Sequence, residues 1–171
     1  SLKADLVVIG SHGHANVGGR LILGSVSQRV LYEARCSVRV ARGTDAGRVG
    51  PCRVVIGLNG SPDSERAVDA TAARAWPEGS EARIVTALAP EAQVPPDGAA
   101  DKLRAAGLTT SNVAKGGNPA HVLVEEAESW GADSIFVGTR DLHGFKHFLT
   151  GSVSSAVAAR ATCSVEVVRQ P

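Results

Sequence analysis

The stretch Ile135-Phe136-Val137-Gly138-Thr139-Arg140-Asp141, followed by Gly151-Ser152-Val153-Ser154, decides how the chain is read. A short apolar run that ends in glycine is a buried strand with a sharp exit, where a ligand can approach the backbone. A Gly-Ser pair at the start of a helix offers free N–H groups and a hydroxyl to an anion. The same arrangement occurs earlier, as Leu6-Val7-Val8-Ile9-Gly10-Ser11-His12-Gly13 and then Gly24-Ser25-Val26-Ser27. Together these features read as a phosphate cradle at the carboxyl end of a parallel sheet.

The two occurrences belong to an internal repeat. Ala4-Asp5 matches Ala132-Asp133 at an offset of 128, and 24–40 matches 151–167 at an offset of 127, with ten of seventeen residues identical. The one-residue slip falls between Gly13 and Gly24, in a loop that absorbs insertions at little cost. Residues 1–42 therefore read as strand (6–9), helix (25–34) and strand (37–41), with residues 1–3 as the stub of a preceding helix. Residues 43–51 hold three glycines and a proline and read as a linker.

From Arg53 a full alternating pattern begins. Residues 53–58 form an apolar strand. Ser61-Pro62-Asp63 is a helix start: a serine cap, proline at the first helical position, then an acid at the positive end of the dipole. This helix is expected to run to about residue 76, with Ala67, Ala72, Ala75 and Trp76 available for its inner face. A strand at 84–88, an irregular proline-rich stretch at 90–98 and a short helix at 99–106 follow. The strand at 109–115 is polar enough to lie at an edge. Asn118-Pro119 caps a helix carrying Val122, Leu123, Glu126 and Trp130 at helical intervals, and Gly131 closes it. Strands at 134–137 and 164–168 complete the pattern. Strands alternating with helices imply right-handed crossovers and an α/β fold with a parallel sheet.

Composition bounds the class. The 171 residues allow one domain or one and a part. A hydrophobic content of 43% and a charged content of 20% suit a globular chain. The net charge of +1 gives no hold to nucleic acid or an anionic membrane, and 4% aromatics leave no base-stacking surface. No apolar run approaches the roughly 20 residues that span a bilayer, and no charged-then-apolar leader pattern opens the sequence. Three cysteines set far apart read as reduced thiols of a cytosolic protein.

The chain resembles the universal stress protein family, whose nucleotide-binding members carry a Gly, two residues, a Gly, nine residues, then Gly-Ser or Gly-Thr. The first copy has Gly10, Gly13 and Gly24-Ser25, with ten residues in the long gap; the second has Gly138, Asp141 in place of the second glycine, and Gly151-Ser152. The resemblance implies an open five-stranded parallel sheet of Rossmann-like, adenine nucleotide hydrolase-like type, in strand order 3-2-1-4-5, over residues 52–171. It implies that residues 1–42 are the C-terminal third of a first such domain. The nucleotide would lie over strands 1 and 4, with phosphate at Gly138, Gly151, Ser152 and Val153, ribose near Asn59, and adenine at Leu58 and around Ala87-Leu88.

For each of these positions the residues leave a plainer reading open. Gly138 and Gly151 can mark tight exits, and Ser152 can simply cap a helix. Asn59, before Gly60, can nucleate a turn, and the turn is preferred. Gly60-Ser61-Pro62-Asp63-Ser64 faintly resembles a pyrophosphatase loop, but the proline favours a helix cap. His12 and His14, or His143 and His147, lack the acid or cysteine that would complete a metal set. Cys36 and Cys163 share one repeat position and read as small hydrophobes in packing.

The resemblance implies a cytoplasmic stress-response protein that senses ATP or AMP, the nucleotide ordering the loop between Gly138 and Gly151. One rival is a scaffold of the same fold that binds no nucleotide and pairs through its last strands, as a homodimer or between domains; the strand at 37–41 is expected on the strand at 164–168. Another is a slow ATPase or self-phosphorylating protein, for which no general base is apparent. Asp141 places a carboxylate near the phosphates, so ATP is expected to bind weakly unless Mg²⁺ bridges the two. The first copy (Gly10, Gly13, Gly24 and Ser25) is not expected to bind alone, since it has no adenine-side strands.

Overall fold

The computed structural model describes residues 4–11, 23–43, 50–88, 98–139 and 153–169. In chain order the elements are β1 (Leu6–Gly10), α1 (Ser25–Glu33), β2 (Ser37–Ala41), β3 (Arg53–Gly57), α2 (Pro62–Ala72), β4 (Glu81–Leu88), α3 (Gly98–Ala105), β5 (Thr109–Gly116), α4 (Pro119–Trp130), β6 (Ser134–Gly138), α5 (Val153–Arg160) and β7 (Ser164–Val168). One sheet holds all seven strands, in the order β1-β2-β7-β6-β3-β4-β5. From β7 to β5 every pair is parallel, which is the expected 3-2-1-4-5 order for the strands after residue 52. β1 and β2 are parallel to each other, while β2 and β7 pair antiparallel. The strand at 37–41 thus docks on the strand at 164–168 as expected, and the five strands become seven.

Local chemistry starts and stops the helices. Ser61 caps α2 by accepting from the Ser64 N–H at 3.3 Å, with Pro62 in the first turn and Asp63 and Glu65 at the positive end of the dipole. Asn118 Oδ1 caps α4 by accepting from Ala120 and His121 N–H at 3.1 and 3.2 Å. Gly131 ends α4 in the left-handed region at φ 69°, a conformation that a side chain disfavours. Helices cover both faces. Val54, Ile56, Ile84 and Phe136 pack with Ala67 and Val68 of α2 and Leu103 of α3. Val55, Val85, Ile135, Val137 and Val165 pack with Leu123 of α4, Val157 of α5 and Leu31 of α1. β6 and β7 have no exposed residue, whereas the edge strand β5 is mostly exposed, as its polarity implies.

Two boundaries differ from the sequence reading. α2 ends at Ala72, not near residue 76. Arg74 leaves the helix to reach Glu166 at 2.5 and 2.6 Å, and the Trp76 indole N–H donates to the Thr71 carbonyl at 2.8 Å, closing the helix end. Trp76 still reaches the core, edge-on to Phe136 with ring centroids 6.2 Å apart, but Ala75 is exposed. β4 begins at Glu81, ahead of the expected 84, because Glu81, Ala82 and Arg83 pair with Thr109, Thr110 and Ser111.

A second ion cluster fastens α4 to the sheet. Glu126 is buried, with Arg83 of β4 and Lys115 of β5 each 2.6 Å from its carboxylate. Arg83 lies 4.1 Å from the Trp130 ring centroid. The Lys115 hydrogen bond, opposed by burial and helped by Arg83, holds the Glu126 carboxyl below its ordinary 4.5. A carboxyl depressed in the folded state contributes stability fully above its unfolded pKa and loses it as pH falls through the folded value. Denaturant unfolding from pH 7 to pH 3 is expected to show this acid loss, and Glu126→Gln to be less stable at pH 7 with a flatter acid arm.

Candidate functional site

β3 leads through α2 to β4 on one side, while β6 leads through α5 to β7 on the other. Their carboxyl ends therefore flank a topological switch point, where open α/β sheets leave a crevice. A cavity of about 350 Å³ opens there. Its strand-end walls are Gly57, Leu58, Val85, Ala87, Val137 and Gly138; the starts of α2, α4 and α5 close it with Ser61, Asp63 and Ser64, with Pro119 and Leu123, and with Val153 and Ser154. The strand-end wall is apolar and suited to a flat ring. No lysine, arginine or histidine lines it among the described residues. The Asp63 carboxylate is held by Arg66 one turn along α2. Positive potential therefore comes from the helix starts. Of these, α2 and α4 already spend N–H groups on Ser61 and Asn118, and α5 presents Val153 and Ser154.

Leu58, Asn59, Gly138 and Val153, four of the residues singled out in the sequence, meet in this cavity. Leu88 does not line it: Ala87 does, and Leu88 pairs with Gly116 at the far end of β4. Gly13, Asp141, Gly151 and Ser152 lie outside the described residues, as do His12, His14, His143 and His147. Gly10 ends the edge strand β1, and Gly24 and Ser25 begin α1, with the Ser27 hydroxyl donating to the Gly10 carbonyl at 2.9 Å. Among the described residues no strand lies beyond β1, and these three do not line the cavity. The sequence reading missed Gly57, Val85, Leu123 and Val137. For Gly57 a signal was available: it ends an apolar strand just as Gly138 does.

Local contacts favour the plainer readings at three positions. Asn59 Oδ1 accepts from the Ser61 N–H at 3.1 Å and the Ser61 hydroxyl at 2.7 Å, which is the turn geometry. Ser61 is a helix cap and not a pyrophosphate loop. Gly138 is explained by packing: a Cβ there would lie 2.0 Å from the Asp63 carbonyl oxygen and 3.0 Å from the Ser64 nitrogen. The first turn of α2 therefore sits directly on the end of β6. Burial pushes the Cys163 thiol up to about 11, so it is protonated at neutral pH and packs as a small hydrophobe. No group of three metal-ligating side chains occurs among the described residues, nor is any described helix long and apolar enough to cross a membrane.

Comparison with known proteins agrees with this architecture. A family model described as the universal stress protein family matches residues 1–42 and 80–169. A universal stress protein of Mycolicibacterium smegmatis is 32% identical over 99% of the chain, which spans 63% of that relative's length. A universal stress protein structure from Archaeoglobus fulgidus superposes with a TM-score of 0.70 at 20% identity, covering 97% of this chain and 61% of that one. A universal stress protein solved in complex with cAMP superposes with a TM-score of 0.58 at 31% identity, covering 72% of this chain and 100% of that one.

The three strand-end and edge glycines are expected to rank by the space around them. Gly138→Ala drives a methyl into backbone and should cost about 1–3 kcal/mol or more. At Gly57 the methyl would meet the Leu123 side chain at 3.1 Å, which can shift, so the loss is smaller. Gly116, with nothing within 4 Å, should be nearly neutral. Urea denaturation of the three variants checks the order.

Proposed function

The chain belongs to the universal stress protein family, and from that membership we propose that it binds an adenine nucleotide in the cavity between β3 and β6 and acts through the occupancy of that cavity in a cytoplasmic stress response. The observation that carries this reading is the cavity itself: about 350 Å³ with an apolar strand-end wall, and the first turn of α5 at its rim. The adenine would lie against Leu58, Val85 and Ala87. The phosphates would lie toward Gly138, Val153 and the Gly151-Ser152 pair, where helix-start amides suit an anion. Asn59 keeps its side-chain N–H₂ for a ribose hydroxyl while its oxygen holds the turn. The relative bound to cAMP, at 31% identity, supports an adenine nucleotide as the ligand class. ATP with Mg²⁺ is the variant of this proposal in which Asp141 bridges through the metal.

The same reading assigns residues 1–42 to the last third of a first domain, 43–51 to a linker and 52–171 to a complete domain. The repeat supports it, as does the shared strand-helix-strand order of β1-α1-β2 and β6-α5-β7. The second reading, a scaffold that works by strand pairing and binds no nucleotide, is favoured by one observation: packing of α2 alone accounts for Gly138.

Thermal unfolding with AMP, cAMP and ATP, the last with Mg²⁺ and with EDTA, separates the two. A ligand at about 100 times its dissociation constant adds about 2.7 kcal/mol. The expected outcome is a rise in Tm with at least one of these nucleotides. That rise should be lost in Ala87→Trp, which fills the slot from a half-buried position. No shift with any of them would leave the scaffold reading.

A further inference from the structure

β2 and β7 pair about one central residue on each strand: Arg39 faces Glu166, with Val38 opposite Val167 and Val40 opposite Val165. At the repeat offset of 127, Arg39 is the counterpart of Glu166, Val38 of Val165 and Val40 of Val167. The junction therefore has a local twofold relation, with Arg39 and Glu166 on its axis. Flanking contacts obey the same relation. The Arg42 N–H donates to Ser164 Oγ at 3.0 Å, and the Arg169 N–H to Ser37 Oγ at 3.1 Å. The Arg42 guanidinium donates to the Ala158 carbonyl near the end of α5, and the Arg169 guanidinium to the Leu31 and Ala34 carbonyls at the end of α1. These contacts occur twice. Among these junction residues, only the pair on the axis has counterparts of opposite charge.

We propose that Arg39 and Glu166 select the partner of this interface: β7 accepts a last strand with a cation on the axis and rejects a second β7. A β7–β7 pair would set two buried carboxylates face to face, and a β2–β2 pair two guanidinium groups. Like charges directly opposite are destabilising, and more so out of water. Glu166 is 2% exposed. It is gripped by Arg74 at 2.5 and 2.6 Å and by Arg39 at 3.4 Å, so only the Arg39 side of its environment depends on the partner strand. Discrimination built from a repulsive alternative is a known route to specificity.

Charge reversal in the full chain tests the assignment. Arg39→Glu places glutamates on both sides of the axis. Glu166→Lys, made together with Arg74→Gln to avoid a clash of cations, places cations on both. Each variant alone is mispaired, but exchange of residues 1–42 between the two chains restores two opposite-charge pairs. Sedimentation velocity at ~100 µM is expected to show a 1:1 dimer in the mixture, and no dimer for wild type or either variant alone. Amide exchange along β2 should quicken by about tenfold or more in Arg39→Glu, and by less in Arg39→Gln. Wild-type protection of β2 in Arg39→Glu would overturn the proposal. So would self-association of that variant, or a mixture that sediments as its separate components. If the cationic variant does not fold, β2 exchange and the sedimentation of Arg39→Glu decide alone.

Discussion

A carboxylate sits almost wholly out of water in the interior of the sheet, and much of the chain is arranged to satisfy it. Glu166 is on β7, flanked by β6 and β2. Leaving such a group unpaired costs several kcal/mol, and pairing repays that only with good geometry and enough donors. Arg74 meets both oxygens and also stands 4.9 Å from the Phe136 ring centroid. That demand helps explain why α2 stops at Ala72, why Trp76 turns back to cap it, and why β2 lies where Arg39 can contribute. Glu126 plays the corresponding part on the other face, tying α4 to β4 and β5. Among the described residues, each helical layer is thus tied to the sheet through one buried acid.

Close approach, more than any polar contact, shapes the cavity. α2 sits on the end of β6 because Gly138 has no side chain, and this brings Asp63 and Ser64 to one wall. α4 supplies Leu123 to another, against Gly57 and Val137. The glycine that first suggested a phosphate cradle therefore has a sufficient structural reason. What distinguishes the crevice is the combination around it: apolar strand ends, no cationic side chain among the described residues, and helix starts converging from both faces.

Most of the architecture was legible in the sequence because its signals were local. Buried strands announced themselves as short apolar runs, the caps as Ser61-Pro62 and Asn118-Pro119, and the stop of α4 as Gly131. The repeat carried long-range information that single elements lack, and together with the family resemblance it pointed to the pairing of β2 with β7. What escaped was decided by distant partners. Nothing near Ala72 says that the helix must end there; the reason is Glu166, far along the chain. Part of the cavity escaped for the same cause. Leu123 and Val85 look like any core residues until the strand order puts them beside Leu58. Of the pair Ala87-Leu88 expected at the end of β4, Ala87 lines the cavity and Leu88 does not.

The antiparallel junction has a geometric consequence for any longer tandem protein built this way. β1 and β2 run opposite to the other five strands of the same continuous sheet. Crevices at the carboxyl ends of the two sets therefore open on opposite rims, facing away from each other. No single small molecule can bridge them, and a partner that caps one rim leaves the other uncovered. Two such crevices would nonetheless share one continuous floor of hydrogen-bonded strands.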